Sequence, residues 1–219
     1  MRGPWAYRAA LLALLLVPGG CHLLFGPPGR PKPVPHYFAD PRDTASLRRV
    51  LLLPFFLEGK STADPDLVTA IFCRELQKTG RFEVMTLPED SRGEWTLNYP
   101  RRTGRFKVAT FLDFSRRFGA DAVLFGTVTR FRPYKPPVLG LSVKMISAHN
   151  GRSVWESEVL YDMRDQEDMA DLRNYLALHK DEEESYHGPE MTLISPRRFT
   201  AYVCGRLVER WKAVDASYR

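Results

Sequence analysis

Cysteine is scarce. Cys21, Cys73 and Cys204 are the only three in 219 residues. No Cys-x-x-Cys pair and no zinc-type spacing occurs, which excludes the common structural zinc sites and dithiol redox motifs. Histidine is sparse too: His22, His36, His149, His179 and His187. His179, Asp181, Glu183 and His187 gather ligand-type side chains, but at the spacing of no familiar metal site. No glycine-rich phosphate loop ending in Lys-Ser/Thr is present. Gly140-Leu141-Ser142-Val143-Lys144 lacks the closing glycine of a nucleophile elbow. No internal repeat is evident. A net charge of +6 is too small an excess to mark a nucleic-acid binder. The chain therefore reads as non-catalytic, without cofactor and without a nucleic-acid partner.

Long apolar runs are missing as well. The longest, Ala9 to Val17, holds nine residues, far short of the roughly 20 that span a bilayer. Its setting gives it another meaning. Arg2 and Arg8 precede it, and Pro18, Gly19 and Gly20 follow. That order is the pattern of a secretory signal peptide over residues 1–20. Cys21 comes next, and the arrangement resembles the lipobox of bacterial lipoproteins, in which the cysteine is acylated and becomes the mature N-terminus. Pro18 stands where that pattern carries leucine. The resemblance implies a lipid-anchored envelope protein. His22, rather than Asp, after the cysteine implies the outer membrane, facing the periplasm.

Proline is concentrated just downstream, at 27, 28, 31, 33, 35 and 41. Proline removes backbone donors and favours extended chain. Residues 21–47 are thus expected to form a tether, and 48–219 a single α/β domain, long enough to bury a core. Val50 to Leu57 is a nearly continuous apolar run and predicts a buried strand. Asp64-Pro65-Asp66 opens a helix that Gly80 stops. Arg81 to Thr86 alternates as a strand. Helical spacing returns from Val108 to Phe118 and ends at Gly119. Ala122 to Val128, Leu139 to Met145 and Val154 to Tyr161 read as strands, the last two joined by an Asn150-Gly151 turn. Residues 162–219 read as helical, with Ser195 and Pro196 starting the last helix. A mixed sheet of about five strands packed with helices is the simplest assembly. Cys73 and Cys204 fall in apolar helical patterns, as buried core thiols or as a disulfide.

Two stretches combine arginine, which offers forked donors, with aromatic anchoring area. Residues 88–107 read as a loop carrying Arg92, Trp95, Tyr99, Arg101, Arg102 and Arg105. The second cluster is Arg130, Arg132 and Tyr134, with Phe131 and Lys135. Both are candidate partner-binding sites for an acidic protein patch or an anionic envelope polymer. Trp155 is read as a core residue.

Several short segments, taken in order, resemble a known group: Val50 to Phe55 ending in Pro54-Phe55, then Gly80-Arg81-Phe82-Glu83-Val84, Gly119-Ala120-Asp121 with Gly126, and Gly151 to Trp155. Together they resemble the envelope superfamily of the TolB N-terminal domain, the curli-secretion lipoprotein and the lipoprotein activators of penicillin-binding proteins. The resemblance covers about residues 48–161. It implies a non-enzymatic, lipid-anchored module that docks an envelope protein or assembly. The alternatives are a homo-oligomeric structural or secretion-accessory lipoprotein and a cell-wall hydrolase of unrecognised type. Residues 129–137 are too short and proline-rich to form a pore-lining hairpin.

Overall fold

Alternating strands and helices in the first half, followed by one long hairpin, build a mixed sheet. The computed structural model describes residues 31–59, 61–98, 108–179 and 188–216. The chain divides into two units, 1–30 and 31–219, and all that follows concerns the second.

Seven strands form the sheet: β1 (His36–Phe38), β2 (Arg49–Leu52), β3 (Phe56–Leu57), β4 (Glu83–Thr86), β5 (Ala122–Arg132), β6 (Val138–Ser147) and β7 (Ser153–Asp162). Their order is β1-β7-β6-β5-β2-β4, with β3 also paired to β5. β2 lies parallel to β4 and β5, as helical crossovers require. β5, β6, β7 and β1 run antiparallel. The helices are α1 (Pro41–Ala45), α2 (Pro65–Gln77), α3 (Glu89–Asn98), α4 (Val108–Phe118), α5 (Gln166–Leu178), α6 (Gly188–Ile194) and α7 (Pro196–Ala216). The α/β class and mixed sheet match the sequence reading, with two strands more than expected.

Three expectations are corrected. The run from Val50 to Leu57 is not one strand. Pro54 has no N–H for the ladder, so the chain breaks into β2 and β3, both tracking β5: Leu53 N donates to Leu124 O (2.8 Å) and Glu58 N to Val128 O (3.0 Å). Phe55 N turns to Thr69 Oγ1 instead (2.9 Å). Residues 88–107 are not all loop, because α3 occupies 89–98. Pro88 O accepts from Ser91 N (3.1 Å), and Glu89 and Asp90 sit in the first turn, where the helix dipole favours them. The tether does not reach residue 47. Residues 36–38 pair with β7, α1 follows, and Leu47 is fully buried.

The Asp64 cap appears as predicted, its side chain accepting from Asp66 N and Leu67 N. The main core lies on one face of the sheet under α2 and α7. Trp211 of α7 is its centre, edge-on to Phe38 (4.9 Å), Phe82 (4.8 Å) and Trp155 (5.6 Å). Trp155 is fully buried there. A smaller cluster on the opposite face joins Leu51, Leu53, Val123, Phe125 and Ile146 with Phe118 at the end of α4. Cys73 and Cys204 are free thiols, half-buried and buried, and burial pushes both thiol pKa values up.

A buried polar knot fastens the start of the unit. Asp171 Oδ2 accepts from Tyr161 OH (3.1 Å), Tyr202 OH (2.7 Å) and Arg206 Nε (2.8 Å). Its Oδ1 accepts from Lys32 N (2.7 Å) and Arg206 Nη2 (3.0 Å). Arg206 Nη2 also donates to Lys32 O (2.8 Å). Lys32 Nζ pairs with Asp168 and lies 5.0 Å from the Tyr161 ring centre. With every acceptor of Asp171 engaged, the knot meets the condition under which a buried charge is tolerated.

Candidate binding surface

β-strand alternation separates two faces. Trp155, Val159 and Tyr161 of β7 and Leu139, Leu141, Val143 and Met145 of β6 enter the main core. Their neighbours point the other way. On that face Tyr37, Glu158 and Leu160 are exposed, and Ser142, Lys144 and Glu156 are half-buried. Tyr37 stands opposite Glu156 in the register of β1 and β7. Lys144 stands opposite Glu156 in that of β6 and β7, and Lys144 Nζ lies 2.5 Å from Glu156 Oε1. Burial alone would raise the Glu156 carboxyl, but the Lys144 ammonium beside it, with the Ser153 hydroxyl nearby, outweighs this and holds the pKa below the ordinary value.

These side chains line a shallow cavity of about 610 Å³, from Tyr37 across Glu156, Lys144 and Ser142 to Phe125 and Thr127. A second cavity, of about 620 Å³, continues from Tyr37 past Asp40 and Asp43 to Arg152. The surface therefore offers an aromatic side chain, hydroxyls and charges of both signs on a rigid sheet. That polar composition is the one found at the solvent-accessible rim of a protein interface.

The first arginine cluster is only partly within view. Arg92 lies in α3 and donates to Asp66 Oδ1 (2.9 Å). Beside it Pro54, Phe55, Phe56, Leu57 and Pro65 line a cavity of about 400 Å³. The backbone of Trp95 belongs to α3, but its side chain, with Tyr99, Arg101, Arg102 and Arg105, lies outside the described residues. So do Cys21 and the Asp181, Glu183 and His187 of the sparse histidine group. Among the described residues no three His, Cys, Asp or Glu side chains gather as a metal site.

The second cluster is in full view. β5 continues to Arg132, and a bulge between Val128 and Arg130 sets Arg130 opposite Gly140 and Arg132 opposite Val138. Arg132 donates to Pro136 O through Nε (3.0 Å) and Nη2 (2.6 Å), and Tyr134 is 81% exposed. Sequence reading missed the open sheet face, because its residues come from three strands and form no local motif.

The matches to known proteins come from structure. No family model matches the chain, and no curated protein does. Solved structures similar to it include a PelC dodecamer from Paraburkholderia phytofirmans, at 16% identity over 64% of this chain and 88% of that one (TM-score 0.42). Lipoprotein GNA1162 from Neisseria meningitidis is 19% identical over 52% of this chain and 79% of its own (TM-score 0.38). TolB from Acinetobacter baumannii is 12% identical over 68% of this chain and 32% of its own (TM-score 0.32). TolB, whose N-terminal domain the sequence resemblance named, and a lipoprotein are among the similar structures. At these identities and TM-scores the likeness transfers no residue role.

Proposed function

We propose that this chain is a lipid-anchored module of the bacterial envelope that docks another envelope protein through the open face of β1, β7 and β6. The observation that carries the reading is that face itself. It presents Tyr37, Lys144, Glu156 and Glu158 to solvent on a sheet whose other side is packed solid. The N-terminal sequence supports the location: a basic, apolar and small-residue leader runs directly into Cys21. Acylation of Cys21 would hold the domain on the periplasmic side of a membrane, the outer one by the residue that follows. Among the described residues no helix is long and apolar enough to cross a bilayer. The chain's work in this reading is recognition without chemistry.

The test is a pull-down from detergent-extracted membranes with the native chain and with a Tyr37→Asp, Lys144→Glu variant. A protein retained by the native chain and lost with the variant, at an unchanged melting temperature, supports docking on this face. Equal retention by both rejects it. Mass spectrometry of the mature N-terminus checks the anchor: acylated Cys21 is expected, and a leader still attached would contradict it.

A further inference from the structure

We propose that the tip of the β5–β6 hairpin rests on anionic lipid headgroups, beside the point where the tether enters the folded unit. This deepens the reading above and rests on the acylation of Cys21.

Chain length supplies the first constraint. Lys32 is fixed in the polar knot, so only the residues between Cys21 and Lys32 can act as a leash. Fully extended, they reach about 40 Å. A bilayer is thus always within reach of this end of the unit, and tethering raises its effective concentration there.

Position supplies the second. Lys32 Nζ donates to Leu160 O (3.1 Å). Leu160 pairs with Gly140, and Gly140 with Arg130. Two strand spacings, about 10 Å, therefore separate the tether's entry row from Arg130. The hairpin tip and the entry point share one end of the sheet.

Charge and shape supply the third. Arg130, Tyr134 and Lys135 are exposed, and Leu160 is 45% exposed on the same face as Arg130. Gly140 lies between those two, and the space over it is already filled by its neighbours. A Cβ there would lie 2.4 Å from Thr129 Oγ1 and 3.3 Å from Leu160 Cδ1. The carboxylate beside the tip, Asp162, is held by Arg164 and faces Arg132 at 3.8 Å. Of the acids that follow, Asp168 is turned inward, accepting from Asp162 N (2.7 Å) and pairing with Lys32, while the exposed Asp165 caps α5 through Glu167 N (2.7 Å). On the hairpin tip itself the outward charges are basic, Arg130 and Lys135, with a tyrosine at the apex; the exposed acids nearby, Glu158 on β7 and Asp165 and Glu167 at the start of α5, lie off the hairpin. Basic side chains are drawn to anionic headgroups, and tyrosine favours the headgroup layer. The tip is too short to span the membrane and lies against it.

The experiment uses the acylated mature protein carrying Tyr134→Trp, reconstituted into vesicles of phosphatidylcholine with phosphatidylglycerol, with and without bromine on the acyl chains. Emission is compared with that of the parent protein, so that only the added tryptophan is read. Flotation of the same vesicles reports the anchor. The expected result is co-flotation with loss of the added emission in brominated vesicles. That loss should disappear in phosphatidylcholine alone and in an Arg130→Glu, Lys135→Glu variant that melts at the parent temperature. Co-flotation with unquenched emission overturns this inference and leaves the anchor standing, with the tip then free for a protein partner. Failure to float overturns the anchor and the inference with it.

Discussion

Gly126 lies beneath the ring of Phe55. A Cβ at this position would fall 2.3 Å from Phe55 Cε1, in a core that cannot yield. Gly126→Ala is expected to destabilise the protein by about 1–3 kcal/mol, the usual cost of overpacking, as a lower midpoint in denaturant. Phe55→Leu combined with it should recover part of the loss, because the pair is in direct contact. Asp121 has a different task. Its Oδ2 accepts from Arg48 N (2.8 Å) and Arg49 N (2.9 Å), while its own backbone ties β2 to the β6–β7 turn: Asp121 N donates to Arg49 O and Ala148 N to Asp121 O (2.8 Å each). Burial would raise this carboxyl, but the two N–H donors, with the nearby His149 and Arg49, hold its pKa below the ordinary value. Asp121→Ala should cost about 0.5–1.5 kcal/mol by removing the acceptor of both donors at the β2 entry, where water can take its place. Equilibrium unfolding reads it. The glycine and aspartate of the sequence motif thus have ordinary structural work. His36 carries the pH dependence. Burial, then the charges of Arg210 and Arg206, lower its pKa from 6.5 to about 4. The unfolded chain binds this proton more readily, so the stabilisation is complete above pH 6.5 and is lost as pH falls toward 4. Melting temperature should drop across that window. His36→Asn, which keeps an acceptor for Trp155 Nε1 (3.3 Å), should flatten the drop.

Among the elements, the N-terminal segment is the most informative. β1 is three residues long and gains its hold beyond its own ladder: the Asp171 knot at Lys32, Ser157 Oγ donating to Pro35 O (2.8 Å), and the ring of Phe38 on Trp211. Arg206→Ala leaves Asp171 buried without its charge partner. Breaking such a pair costs about 3–5 kcal/mol, and the released segment should be cut by protease near residues 31–35 before the rest of the unit. A cleavage pattern identical to the parent's would show that the knot does not hold the strand. Why this segment was hidden in the sequence is physical. Three residues are too few to show a period of two, the neighbouring prolines signal extended chain, and the strand's partner lies 119 residues away. Elements that signal locally were legible. Asp64-Pro65 begins α2 as read, Gly80 and Gly119 adopt the positive φ that ends a helix, and Asn150-Gly151 turns the hairpin. α3 was obscured by Pro88 and Gly93, which read as breakers although Pro88 stands just outside the helix and Gly93 is tolerated inside it. The arginine clusters were legible as composition. The open sheet face was not, since alternation marks which residues leave the core but not whether another element covers them.

At the scale of the molecule, one sheet serves two ends. The main core and the polar knot fix the helical side, while β1, β7 and β6 leave a mixed-charge surface on the other. The segment leading to Cys21 enters at Lys32, close to the basic hairpin tip. A leash of at most about 40 Å would keep this end of the unit near a membrane, in place of the tether over residues 21–47 that proline content implied. The most direct measurement is photo-cross-linking in living cells, with a photoreactive residue at Tyr37 on the open face or at the exposed Lys212 of α7. A discrete heavier adduct from position 37, and none from 212, is the predicted result. No adduct from 37, or the same pattern from both positions, would contradict docking through this face.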